Sequence, residues 1–156
     1  MAGTPEPAVP VGLAGTRILV VEARYHATVN DLLLRGTKNV LERAGATFDV
    51  VTVPGALEIP PAVAIAHHTR RWAAFVALGC VIRGETTHYE LVSGESCRGL
   101  VELGLRERAL IGNGILTVET MDQALERADP ARQDKGGFAA SAALALLALR
   151  RRLEQR

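Results

Sequence analysis

Residues 73–82, Ala-Ala-Phe-Val-Ala-Leu-Gly-Cys-Val-Ile, are apolar without interruption. A strand with one wet face alternates apolar and polar side chains. An unbroken run of strand length needs apolar cover on both faces, which is the habit of parallel sheets. The rest of the chain fits that reading. Arg17–Ala23 (RILVVEA), Thr47–Val53 (TFDVVTV) and 109–116 are three more short, β-branched or apolar runs. Helical patterns separate them. In 28–44 the apolar or small residues Val29, Leu32, Leu33, Gly36, Val40, Leu41 and Ala44 form one helix face, and Gly45 follows as a stop. Further helices are expected over 56–69, with Pro60-Pro61 tolerated in its first turn, and over 88–105, Met121–Ala128 and 135–153. Strand–helix alternation with buried strands predicts an α/β domain, a parallel sheet with right-handed crossovers and helices on both faces. The expected organisation is an extended arm over 1–15 and one domain over 16–156, with no internal repeat.

Composition narrows the classes. The net charge of +1 gives no electrostatic case for nucleic acid or an anionic membrane. Aromatic residues are only 4%, so the core must be built from Ala, Val, Leu and Ile. Cys80 and Cys97 fall on different elements, with no zinc spacing and no paired framework, which predicts a reduced, cytoplasmic protein. The start of the chain lacks the basic and apolar regions of a signal peptide. The most apolar helical stretch, 139–149, is too short to span a bilayer. No GxGxxG follows a strand, which argues against a dehydrogenase, and His67-His68 read as surface residues rather than metal ligands. Arg150-Arg151-Arg152 suit the negative end of a helix.

Open parallel sheets bind ligands at the carboxyl ends of their strands. The residues there are 24–26, 54–60, 83–88 and 113–118. In Val81-Ile82-Arg83-Gly84-Glu85-Thr86-Thr87-His88-Tyr89-Glu90, Thr87 and Glu90 have capping-box spacing, which sets a helix start at His88. Gly84 allows close backbone approach or a positive φ. The N–H groups of Glu85 and Thr86 can then face an anion at the positive helix end. The result is a phosphate cradle with an imidazole on its lip, and a neutral imidazole can both give and take a proton.

These segments resemble the lumazine synthase family. Pro54-Gly55-Ala56-Leu57-Glu58-Ile59-Pro60 is similar to its VPGAFEIP segment, and Val81–His88 to its VIRGxTxH segment. Arg24-Tyr25-His26 falls where the family has Arg-Phe-Asn, and 123–128 with Lys135-Gly136 resembles EQAxxRAG…NKG. The resemblance runs in order from about residue 17 to the end, and points to an alphaproteobacterial subtype. It implies a four-stranded, flavodoxin-like three-layer sandwich and pentamers with active sites shared between subunits. The reaction implied joins 5-amino-6-(D-ribitylamino)uracil to 3,4-dihydroxy-2-butanone 4-phosphate, giving 6,7-dimethyl-8-ribityllumazine, phosphate and water. This is the penultimate step of riboflavin biosynthesis. It implies no cofactor and no metal, and riboflavin synthase is a candidate protein partner.

The resemblance also assigns roles. Tyr25 would stack on the uracil ring. Ala56, Leu57 and Glu58 would hold the ribityl chain. Cys80, Val81 and Ile82 would offer backbone groups to the pyrimidine edge. Glu85, Thr86 and Arg127 would bind phosphate, Lys135 would face the ribityl or phosphate region, and His88 would move protons. Asn113 departs from the Phe that packs over a neighbour's uracil, and so offers hydrogen bonding with little stacking area. Phe138 stands where many members place an acid near the histidine, and Asp134 is the candidate substitute. Residues 129–134 replace the glycine-rich turn of shell-forming members, which predicts an isolated pentamer. The arm would lie along a neighbouring subunit's sheet. The alternative is a flavin- or lumazine-binding protein with little turnover.

Overall fold

In the computed structural model, which describes residues 5–155, four strands form one parallel sheet: β1 (Arg17–Ala23), β2 (Thr47–Val53), β3 (Ala74–Ile82) and β4 (Ile111–Val118). Their spatial order is β2-β1-β3-β4. Val20 lies opposite Val50 on one side and Val76 on the other, and Val76 lies opposite Gly112. The helices are α1 (Ala27–Arg43), α2 (Ile59–His68), α3 (His88–Arg106), α4 (Met121–Ala128) and α5 (Lys135–Glu154). This is the parallel α/β architecture that the strand pattern predicts, in the four-stranded flavodoxin-like form that the resemblance implies.

Strand alternation divides the core in two. Ile18, Val20, Ala74, Val76, Leu78, Leu116 and Val118 point toward α1, α4 and α5. Leu19, Val21, Ala23, Phe75 and Ala77 point the other way, onto Ala56, Ile59, Val63 and Leu100. Both faces of β1 and β3 are therefore covered, which accounts for the unbroken apolar sequence of β3 and for the apolar run Ile18–Val21 of β1.

The edge strands differ from the expectation of full burial. β2 has an open edge, and Val50 and Val51 are more than a third exposed. β4 begins two residues later than expected. Gly112, Gly114, Leu116 and Val118 lie under α5, while Asn113 and Thr117 on the opposite face are exposed. The contact with α5 is close enough to require glycine, because a Cβ at Gly112 would fall 1.8 Å from the Ala139 carbonyl oxygen. The same holds between helices: a Cβ at Gly136 would sit 2.0 Å from the Leu33 carbonyl oxygen. Buried Thr37 donates its hydroxyl to the Gly136 carbonyl at 3.0 Å across that contact.

Gly45 takes φ 71° and ends α1, with its N–H bonded to Glu42 O and that of Ala46 to Leu41 O. The single helix expected over 56–69 is a 3₁₀ turn (Ala56–Glu58) followed by α2, with Pro60 in its first turn. α2, α3 and α5 all end at the pole where the strands begin. Arg70, Arg108, Arg150 and Arg151 gather there with His67 and His68, opposite-signed to the helix ends they face. His67 Nε2 is 2.9 Å from Glu107 O, and His68 lies 3.5 Å from the Glu107 carboxylate, so both serve the surface.

Residues 5–15 pack on their own chain. Leu13 is buried, Ser141 donates to Ala8 O, and Arg151 donates to Gly12 O. The remaining arm residues, 1–4, lie outside the described residues. Among the described residues no helix is long and apolar enough to cross a membrane.

Candidate active site

β1 leads on to β2 on one side, and β3 lies on the other, so the order in which strands are added across the sheet reverses between β1 and β3. A crevice opens there at the carboxyl ends of the strands. The cavity measures about 420 Å³, a size suited to a small molecule. Each wall comes from the turn that follows a strand. Tyr25 and His26 follow β1; Gly55, Ala56, Leu57 and Glu58 follow β2. Cys80, Val81 and Ile82 end β3, and Gly84, Thr86 and His88 come from the loop into α3.

The geometry varies from wall to wall. Tyr25 is 82% exposed, its ring presented to solvent with His26 edge-on at 5.0 Å. Burial lowers the pKa of His26 below the ordinary imidazole value. The 3₁₀ turn at 56–58 buries Ala56 and leaves Leu57 and Glu58 outward, with the Glu58 carboxylate folded toward Gly55. Burial pushes the Cys80 thiol up to about 11, so this sulfur is a neutral wall.

The loop 83–87 differs from the sequence expectation in two respects. The Thr87–Glu90 capping box does not form: Thr87 caps with no side-chain bond, and Glu90 turns to Arg83 instead. Arg83 is held between Glu90 and Glu119 (2.8 Å) and stacks on Tyr89 at 4.3 Å. The competing guanidinium explains the loss of the box, since a charged partner outbids a single backbone N–H. Glu90 is held below the usual carboxylate range, first by that bond. Gly84 takes no positive φ, and a Cβ there would meet nothing within 4 Å, so this glycine leaves room instead of relieving strain. Thr86 Oγ1 accepts from His88 N at 3.3 Å. Among the described residues no hydrogen bond uses the backbone N–H of Glu85 or Thr86. Two free amides at the start of a 19-residue helix are a ready anion site.

Glu85 does not line the cavity although its neighbours Gly84 and Thr86 do, and three more expected site residues lie apart from this crevice. Asn113 sits on the exposed face of β4 beside an apolar groove with Leu105, Ile111 and Leu146. Its Oδ1 accepts from Ile115 N at 3.0 Å, and its Nδ2 lies 3.7 Å from Cys97 Sγ. Arg127, half-buried on α4, donates to Gln123 O. Lys135 opens α5, with Nζ 5.8 Å from the Phe138 ring centroid. Asp134, the candidate substitute acid, caps α5 at φ 47°, accepting from Gly137 N at 3.1 Å, and desolvation raises its pKa.

The sequence placed His26 at a strand end without giving it a role, and gave none to Tyr89 or Val92; all three line the cavity. Tyr89 and Val92 are three residues apart on the first turns of α3, so the helix start at His88 already placed them on one face.

A doubly wound parallel α/β protein with a small-molecule crevice at its switch point, rimmed by a loop with two unused backbone N–H groups, is thus the class that the fold and site define. The family model for 6,7-dimethyl-8-ribityllumazine synthase matches residues 15–151, and the chain belongs to that family. Curated relatives carry the same description. The protein of Methylobacterium radiotolerans is 58% identical over 147 residues, covering 94% of this chain and 89% of the relative. That of Novosphingobium aromaticivorans is 56% identical, covering 87% and 97%. That of Bartonella tribocorum is 52% identical, covering 86% and 90%.

Proposed function

We propose that this chain condenses 5-amino-6-(D-ribitylamino)uracil with 3,4-dihydroxy-2-butanone 4-phosphate to 6,7-dimethyl-8-ribityllumazine. The observation that carries the proposal is the crevice itself, with an aromatic ring, polar turns and free amides around the His88 imidazole. Tyr25 stacks on the pyrimidine, and the ends of β3 at Cys80, Val81 and Ile82 meet its polar edge. Ala56, Leu57 and Glu58 hold the ribityl hydroxyls. Glu85 and Thr86 offer their N–H groups to phosphate. The amine attacks the ketone, the carbinolamine loses water to an imine, phosphate leaves and the ring closes. His88 moves protons in these steps, and holding both substrates together supplies much of the acceleration.

The working unit is an isolated homopentamer, with Asn113, Arg127 and Lys135 completing a neighbour's crevice. Two observations support this. Those residues are remote from the His88 pocket of their own chain. In addition, α3 exposes Leu91, Val101 and Leu105 at 54–78%, an apolar strip that another copy would cover. Residues 1–15 act as an arm on a single domain spanning 16–156, in the cytoplasm.

The test mixes purified protein with both substrates, each omitted in turn, and reads lumazine fluorescence. Product that requires both substrates and the protein supports the synthase. Aminouracil binding without product would leave a ligand-holding protein instead. Light scattering should give five times 16.6 kDa; a particle of sixty chains would overturn the isolated pentamer.

A further inference from the structure

Glu22 is a charge inside the apolar run of β1, 4% exposed, and the condensation chemistry gives it no role. Its carboxylate gathers three donors from three segments. Oε2 accepts from Asn30 Nδ2 of α1 at 2.8 Å and from Arg24 at 3.1 Å. Oε1 accepts from the Thr52 hydroxyl of β2 at 3.0 Å. Asn30 is fully buried, and its Oδ1 has no hydrogen-bond partner. The amide therefore gives its N–H to Glu22 and leaves its own acceptor empty, so the carboxylate dictates the orientation of the group. Arg24 extends the network outward to Asp31 and to Ala27 O at 3.4 Å.

The three segments tied by Glu22 lead directly to two walls of the crevice. Arg24 immediately precedes Tyr25 and His26. Thr52 lies just before the turn that carries Gly55, Ala56, Leu57 and Glu58. We propose that Glu22 is a positioning residue for the aminouracil substrate, its carboxylate holding the β1 and β2 turns in register so that the Tyr25 ring and the 56–58 turn meet one ligand together. The inference rests on the function proposed above and concerns the same site. Glu22 touches no substrate. The phosphate loop 83–87 stands on β3 and receives nothing from this network, so the effect is confined to one substrate.

The chemistry of the variants separates this role from general stability. In Glu22→Gln the new amide N–H can meet Asn30 Oδ1 once the Asn30 amide turns over, which keeps one bond between the two groups. The charge that tethers Arg24 is lost, and Arg24 and the turned Asn30 Nδ2 both lose their acceptor. Arg24→Gln cuts the same link from the half-exposed side and leaves Glu22 its Asn30 and Thr52 bonds. Both variants and the parent are assayed as whole protein for the KM of each substrate and for kcat. The expected result is a rise of about tenfold in the aminouracil KM, with the keto-phosphate KM and kcat changed less than about twofold. A rise in the aminouracil KM below fivefold overturns the inference, as does a rise shared equally by both substrates. Should Glu22→Gln not fold, Arg24→Gln decides. A parent protein that forms no product refutes the proposed function instead, so the two failures are distinct.

Discussion

Gly136→Ala measures how far the α1–α5 contact governs the stability of the chain. The added Cβ would lie 2.0, 2.7 and 2.9 Å from Leu33 O, C and Cα. All three are helix backbone and cannot swing aside. Ordinary heavy-atom contact begins at about 3.5 Å, so the helices must part by roughly 1.5 Å at this point. That movement stretches the 3.0 Å bond from Thr37 beyond its range and loosens Leu33 against Ala140 and Leu144. Overpacking of this kind costs about 1–3 kcal/mol and the buried hydrogen bond about 1 kcal/mol more. The better helix propensity of alanine offsets at most about 1 kcal/mol. The net loss is about 1–3 kcal/mol, and each kcal/mol moves the Tm of a chain this long by roughly 2–4 °C. Calorimetry should therefore show a fall of roughly 2–12 °C. A variant melting within about 1 °C of the parent would refute the reasoning, because it would mean that α5 shifts freely over α1.

Four further outcomes are expected. His88→Ala should lower kcat by about 10²–10³ and leave product formation measurable above background, since substrate positioning survives; total loss of activity would contradict this. Thr120→Ala removes the bond accepted from Gln123 N at 3.2 Å and should cost about 1 kcal/mol in urea denaturation, whereas Thr87→Ala should stay within about 0.5 kcal/mol because Thr87 makes no cap bond. The lowered pKa of His26 means that the folded state favours the neutral ring, so its contribution to stability is full above the unfolded value near 6.5 and is lost as pH falls through that region; His26→Gln should flatten the decline seen by thermal melts between about pH 7 and 5. Cys80, with its thiol at about 11, is roughly one part in 3,000 thiolate at pH 7.5, so peptide mass mapping should find it unlabelled by iodoacetamide in the native protein and labelled in denaturant.

The sequence was most legible where both faces of an element are buried. The run 73–82 declares β3, and the face of 28–44 with Gly45 declares α1 and its end, because burial acts on every residue there. The crevice was legible through its position: Tyr25, Ala56, Leu57, Glu58, Cys80, Val81, Ile82, Thr86 and His88 all follow or end strands, and parallel topology brings those turns together. Local polar signals fared worse. Thr87 and Glu90 have the spacing of a capping box, but spacing says nothing of Arg83, which wins Glu90 through space. β4 reads as apolar, yet Asn113 and Thr117 mark a face that α3 covers only in part. The Glu22 network was visible only as one charge in an apolar run, since its partners Asn30 and Thr52 lie on other elements.

The antiparallel run of α5 against the sheet sets the two ends of this helix at opposite poles. It starts near the carboxyl ends of the strands, at Lys135, and finishes at Glu154 beside His68 and Arg108. A peptide or reporter domain fused beyond α5 would thus leave the molecule from the side farthest from the crevice. Each chain could carry cargo there while the loops that receive small molecules stay open, which makes the fold a natural display scaffold whose attachment point and chemistry do not compete for space.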